Sequence, residues 1–281
     1  MTLFIDLRAS ANGGVCAQGA TAWKDGTLPV SESDFADQVR GRDLVLATHG
    51  FNVDRGDGIR SLSAWEGLCS LPPSCLFVGV LWPGDSRYLP VLDYPVEGDE
   101  AITAGRHLSA FLNDHAAGAA SLSFASHSLG GRMVLETLAG LNLPVRRLLL
   151  MAGAIENNCL AQEYRDAAGK VEKIYVLASR SDWVLHYAFP LGNPVGQIIM
   201  HGHPYFRTAL GRDGPAQPIA PGQQGAAWQI PDKWTYVHAD YLPKGSGGTQ
   251  APPPFSPPDS GASKPGDKAA WSACVLSTIL A

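Results

Sequence analysis

Short, continuously apolar runs alternate with helical periodicity along most of this chain, and that alternation leaves few folds open. The runs are Leu3 to Leu7, Leu44 to Thr48, Leu76 to Trp82, Leu122 to Ala125, Arg147 to Met151 and Lys173 to Ala178. They are rich in β-branched and aromatic residues and do not alternate with polar ones, as expected of strands covered on both faces. Between them, Glu100 to His115 sets Ile102, Leu108, Phe111 and Leu112 at helical intervals, and Leu129 to Leu141 does the same with Met133, Leu135 and Leu138. Strand and helix in turn predict an α/β fold, a mostly parallel central sheet with helices on both faces. The apolar runs spread evenly to about residue 240, which predicts one domain over residues 1–243. From Lys244 to Lys268 the chain turns Gly-, Pro- and Ser-rich, a linker or surface loop that buries little. Residues 269–281 are apolar again and read as a terminal helix docking on the domain, with a partner-binding helix as the alternative. On this reading a chain ending after Lys244 keeps every candidate site residue.

The charge balance excludes several function classes. With 21 Lys+Arg against 26 Asp+Glu the net charge is −5, the wrong sign for nucleic acid or an anionic membrane. No apolar run approaches the roughly 20 residues that span a bilayer. The five cysteines are scattered without C-x-x-C, so neither a zinc site nor a disulfide framework is expected. Met1 to Arg8 has no basic stretch before an apolar core, and there is no N-x-S/T sequon; both point to the cytoplasm. Gly56-Asp-Gly58-Ile-Arg-Ser61 begins like a dinucleotide fingerprint, but Ser61 stands at the third glycine and no strand leads into it.

The chemistry is carried by Ser126-His127-Ser128-Leu129-Gly130. It follows a predicted strand, precedes a predicted helix, and is one residue from G-x-S-x-G, with Ser126 at the first glycine. Such a turn holds a nucleophilic serine at the sheet edge and demands small flanking residues, since larger ones collide with packed backbone. Upstream, the strand ending at Thr48 runs into His49-Gly50-Phe51-Asn52. A glycine there frees the backbone, so the Phe51 N–H can face a developing oxyanion, with the Leu129 N–H as the second donor.

These segments, with Leu81-Trp82-Pro83-Gly84-Asp85, Ala178-Ser179-Arg180-Ser181-Asp182 and His238-Ala239-Asp240-Tyr241-Leu242, give the chain a resemblance to the α/β-hydrolase-fold serine hydrolases, in particular a bacterial esterase- or lipase-like branch. The resemblance spans about residues 43 to 243. It implies a triad in the chain order Ser, acid, His, and no cofactor or metal. For the acid, Asp182 lies just beyond the strand ending at Ala178; Asp213 in Gly-Arg-Asp-Gly-Pro suits a turn, and Asp166 precedes the strand. For the histidine, His238 follows Lys233 to Val237, a plausible last strand. His186 is too near Asp182, and His201 and His203 suit a solvated loop. The expected catalytic residues are therefore Ser128, Asp182 and His238, with Phe51 and Leu129 as oxyanion donors. His49, Trp82, Tyr88, Tyr94, His127 and Trp183 form the expected substrate wall, His127 turned away from Ser128. Pro83 to Gly98 reads as a lid or a surface loop. The expected activity is hydrolysis of uncharged carboxylic esters of short or medium acyl length. The same residues would serve an amidase, peptidase or thioesterase, and a non-catalytic partner-binding protein is the rival from another class.

Overall fold

A computed structural model describes residues 1–9, 19–85, 94–187, 189, 208–218, 224–244, 255–258 and 261–281, with the side chains of 94–97 excepted. The strands are β1 (Leu3–Asp6), β2 (Thr21–Lys24), β3 (Leu28–Val30), β4 (Asp43–Thr48), β5 (Cys75–Leu81), β6 (Ser121–His127), β7 (Val145–Met151), β8 (Val171–Ser179) and β9 (Gln224–Ile230). They form one sheet in the order β3-β2-β1-β5-β4-β6-β7-β8-β9. The pairings β1-β5-β4-β6-β7-β8-β9 are all parallel; β1–β2 and β2–β3 are antiparallel, so β2 alone runs against the other strands. The helices are α1 (Glu32–Val39), α2 (Arg55–Leu68), α3 (Tyr94–His115), α4 (Gly130–Gly140), α5 (Arg165–Gly169) and α6 (Lys268–Leu280), with further short helical turns over 183–187 and at Leu210–Asp213. In one group α3 packs on α1 and α4, and α4 on α5; in the other α2 packs on α6. The central strands β1, β4, β5 and β6 are buried almost along their whole length, as a sheet covered on both faces requires.

The antiparallel edge comes from an Asp-Gly turn. Asp25 (φ 51°) and Gly26 (φ 70°) both take left-handed backbone, and the Thr27 N–H closes on Lys24 O at 3.2 Å. That is the turn whose twist matches a hairpin.

Two expectations are corrected. Lys233 to Val237 is not a strand: Pro231 ends β9, Asp232–Trp234 makes a 3₁₀ turn, and Thr235 turns left-handed at φ 48°. The last strand, β9, lies just upstream. Residues 94–98, expected in a loop, are helical: Pro95 stands in the first turn of α3, where no intrahelical N–H is needed. Tyr88 and the Tyr94 side chain lie outside the described residues. Among the described residues, no helix is long and apolar enough to cross a membrane.

The sheet order already marks the place for a site. The chain leaves β4 for β5 on one side, then crosses back to β6 on the other. Loops diverge at such a switch point and leave a crevice beyond the carboxyl ends of the strands. Thr48 pairs with Ser126, so the loops after β4 and β6 emerge at one level.

Candidate active site

Ser128 occupies the tight turn between β6 and α4 with φ 56°, a left-handed conformation that a non-glycine residue keeps only when its surroundings hold it. Its N–H donates to Met151 O (3.0 Å), and its carbonyl accepts from Gly131 N (3.0 Å) and Ala154 N (3.2 Å). Close packing explains the small neighbours. A Cβ on Gly130 would lie 2.4 Å from His49 O, and one on Gly50 would lie 2.7 Å from Ser128 Cβ. Ser126 is fully buried in β6, its Oγ 3.5 Å from Leu149 O.

Asp182 follows β8 in a turn closed by its own N–H on Ser179 O (3.1 Å). It is completely buried, and its two oxygens have separate work. Oδ1 accepts the Leu185 N–H (3.1 Å), capping the helical turn over 183–187, and Oδ2 lies 2.7 Å from His238 Nδ1. A carboxylate oxygen accepts from an Nδ1–H there, and in the neutral imidazole with that tautomer Nε2 is the acceptor. Ser128 Oγ lies 2.8 Å from that nitrogen. Residues from the ends of β6 and β8 and from a 3₁₀ turn (His238–Asp240) thus meet in one hydrogen-bonded chain, Ser128 to His238 to Asp182.

The other candidates divide. His49, Phe51, His127 and Trp183 line a cavity of about 800 Å³ that opens over Ser128. Trp82 does not line it: the indole is fully buried behind His49, donates to His49 O (3.0 Å) and stacks on its ring. Leu129 is buried where α4 begins, and neither its N–H nor that of Phe51 has a partner among the described residues. The loop carrying Phe51 is tied down by the Asn52 N–H on Gly84 O. Asp213 pairs with Arg212 and Arg180, Asp166 lies in α5, and His186 packs on Tyr187. His201 and His203 lie outside the described residues. No group of His, Cys, Asp and Glu among the described residues could hold a metal ion.

Sequence reasoning left several lining residues unnamed, among them Val184, Leu185 and Leu242. Each follows Asp182 or His238 within a few residues, and that proximity was the available signal. It also missed the second role of His127, which lines the cavity and whose Nε2–H donates to the His238 carbonyl at 2.8 Å, fixing the backbone of that histidine.

Burial sets the electrostatics of the two accessory imidazoles. It pushes His49 down to about 4 and His127 down to about 3, the latter also disfavoured by positive charge on His238. Both are therefore neutral in the folded protein over its neutral range. The stability consequence has a definite sign. Above the unfolded histidine value of about 6.5 neither state binds the proton and nothing is lost. Below it the unfolded chain takes up protons that the native state refuses, so stability falls by up to about 1.4 kcal/mol per pH unit for each histidine. A melting temperature that drops steeply between about pH 6.5 and 4, with a shallower slope in His49→Gln, is the expected result. Equal slopes in wild type and variant would refute it.

A family of α/β hydrolases of unknown function (DUF900) matches residues 30–215. The chain belongs to this family. The match includes Ser128 and Asp182 of this α/β hydrolase and ends before β9, His238 and α6. No curated protein matches the chain. Solved structures similar to it include an inhibited esterase B from Lactobacillus rhamnosis (12% identity, TM-score 0.37, 84% of this chain and 79% of that one covered). Others are a lipase-esterase related protein from Clostridium acetobutylicum (12%, TM-score 0.30, 50% and 75%) and a thermophilic esterase from the Planctomycetes species Thermogutta terrifontis (10%, TM-score 0.34, 73% and 75%).

Proposed function

We propose that this α/β hydrolase cleaves carboxylic esters through an acyl-enzyme on Ser128. The observation that carries the reading is the continuous chain from a strained serine through His238 to a buried carboxylate, at 2.8 and 2.7 Å. On this reading His238 Nε2 takes the Ser128 proton as Oγ attacks the ester carbonyl, and Asp182 holds the tautomer and stabilises the imidazolium. The carbonyl electrons move onto the oxygen, facing the Phe51 and Leu129 N–H groups. Collapse of the tetrahedral species breaks the bond to the alkoxide, which leaves as an alcohol with the proton from His238. Water, deprotonated by the same imidazole, then attacks the acyl-enzyme and releases the carboxylic acid.

Support for an uncharged substrate of short to medium acyl length comes from the cavity walls. Phe51, Val53, Leu185, Phe189 and Leu242 are apolar, and among the described lining residues the charged ones, Asp57 and Lys244, are of opposite sign. Desolvating a charged group against such walls is unfavourable. The test pairs a serine-directed fluorophosphonate probe with p-nitrophenyl esters of increasing acyl length. Labelling confined to Ser128 and turnover that falls off for long acyl chains are the expected results. No labelling and no turnover of any ester would reject the proposal.

A further inference from the structure

We infer that Lys268, the first residue of α6, is a positioning residue for His238: its ammonium group closes the loop that carries the histidine. The inference rests on reading Ser128, His238 and Asp182 as catalytic, and it concerns chain beyond the family match.

Sequence dictates where α6 must lie. It carries Trp271, Val275, Leu276 and Ile279 and has almost no polar face, so it is stable only when buried. Asp267 caps it, accepting from Ala270 N at 2.9 Å. The body of the helix is bolted to the scaffold. Trp65 Nε1 of α2 donates to Ser272 Oγ (3.3 Å), Ser70 N to Ser277 Oγ (2.9 Å), and Arg147 Nε of β7 to Ile279 O (3.0 Å).

From this fixed post the Lys268 side chain spans the histidine loop. Nζ donates to Thr235 O and to Asp240 Oδ2, each at 2.6 Å, and lies over the Tyr236 ring. Asp240 Oδ2 also accepts the Val237 N–H at 2.7 Å. One ammonium group therefore joins the residue that enters the loop to the residue that ends the His238 turn. The backbone on either side is held too: Tyr236 O–H donates to Lys268 O, and Ser272 Oγ lies within hydrogen-bond reach of Tyr241 O, both at 2.5 Å.

The loop needs such a clamp. A single 3₁₀ turn has little stability of its own. Thr235 is β-branched yet sits at φ 48°, where such a residue stays only if it is held, and its carbonyl is what Lys268 grips. The geometry of His238 is exacting, because it must keep hydrogen bonds to Asp182 and Ser128 together. A shift of about 1 Å in a reacting group can cost on the order of 10²-fold in rate. Truncation after Lys244 would thus remove a support of the histidine, contrary to what the distribution of candidate residues along the sequence suggests.

The test uses the full-length chain and an ester that the wild type turns over. Lys268→Met is expected to lower kcat by roughly 10- to 100-fold with KM within about twofold, and to slow fluorophosphonate labelling by the same factor. Lys268→Arg, which keeps the charge and the donors, should recover most of the rate. Asp240→Asn should fall in the same range, and the double variant with Lys268→Met should be no worse than either single change, as partners in one clamp require. A folded Lys268→Met enzyme within about twofold of wild type in kcat, or additive single losses, would overturn the inference. If Lys268→Met does not fold, Lys268→Arg and Asp240→Asn decide. A wild type that neither labels nor turns over any ester would instead reject the proposed activity. The clamp would still be tested by the downfield proton resonance of the His238 Nδ1–H bonded to Asp182, expected in wild type and weakened in Lys268→Met. An unchanged resonance would reject it.

Discussion

Ser128→Ala is expected to abolish ester turnover, with kcat lower by on the order of 10⁶, as when the serine of such a triad is removed. KM, where measurable, should change little, because Oγ bonds covalently to substrate only in the chemical step. The fold should survive. Ser128 is held by backbone bonds to Met151, Gly131 and Ala154, none of which uses the hydroxyl. Ser128→Gly supplies a second readout. Left-handed backbone at a non-glycine residue costs on the order of 1–3 kcal/mol, and glycine relieves it. That variant should be equally inactive yet melt a few degrees higher, at about 2–4 °C per kcal/mol for a chain of this size. Steady-state kinetics and thermal unfolding followed by circular dichroism check both statements. Retained turnover in folded Ser128→Ala would place the chemistry elsewhere.

The second large effect is expected at the other two members of the chain. Asp182→Asn keeps the shape of the side chain but presents an N–H donor as well as an acceptor, so the imidazole is free to take the wrong tautomer and turn its Nε2–H toward Ser128. The expected loss is on the order of 10⁴ in kcat. It should be accompanied by some loss of stability, since Asp182 is fully buried and also caps the turn at Leu185. His238→Ala should be at least as severe in rate. It should be milder in stability, because the ring is partly exposed and the loop keeps its ties to Lys268 and Ser179. Asp213→Asn is the control, being paired only with Arg212 and Arg180 among the described residues. An Asp182→Asn enzyme within about tenfold of wild type, less than about 1.4 kcal/mol in the barrier, would remove Asp182 from the mechanism.

Much of the architecture was legible in the chain because its signals are local. Continuous apolarity marked β1, β4, β5, β6, β7 and β8, since a strand covered on both faces has no polar side to show. β9 gave no such signal: Gln224 to Ile230 is a partly exposed end strand of Gly, Ala and Gln with few β-formers. The Asp25-Gly26 hairpin carries a local turn signal, but the strands beside it are too short and too exposed to show continuous apolarity.

For the site the division is similar, and its cause is distance along the chain. Ser128 and Gly50 sit on strand-to-loop junctions whose small residues are written into the local sequence, because packed backbone leaves no room for a Cβ beside them. Ser128 and His238 stand 110 positions apart in the chain, and no local pattern encodes that closure. The structure puts His238 beside Ser128 from a 3₁₀ turn, not from the end of a strand. Tertiary packing alone decided that the His127 imidazole holds the backbone of His238, that Trp82 stands behind the cavity wall, and that Lys268 reaches from the final helix to the histidine loop. Periodicity and turn chemistry fix elements within a few residues of one another. Which side chains then meet depends on how buried faces stack across the sheet, a many-body packing problem that a linear sequence poses without displaying its answer.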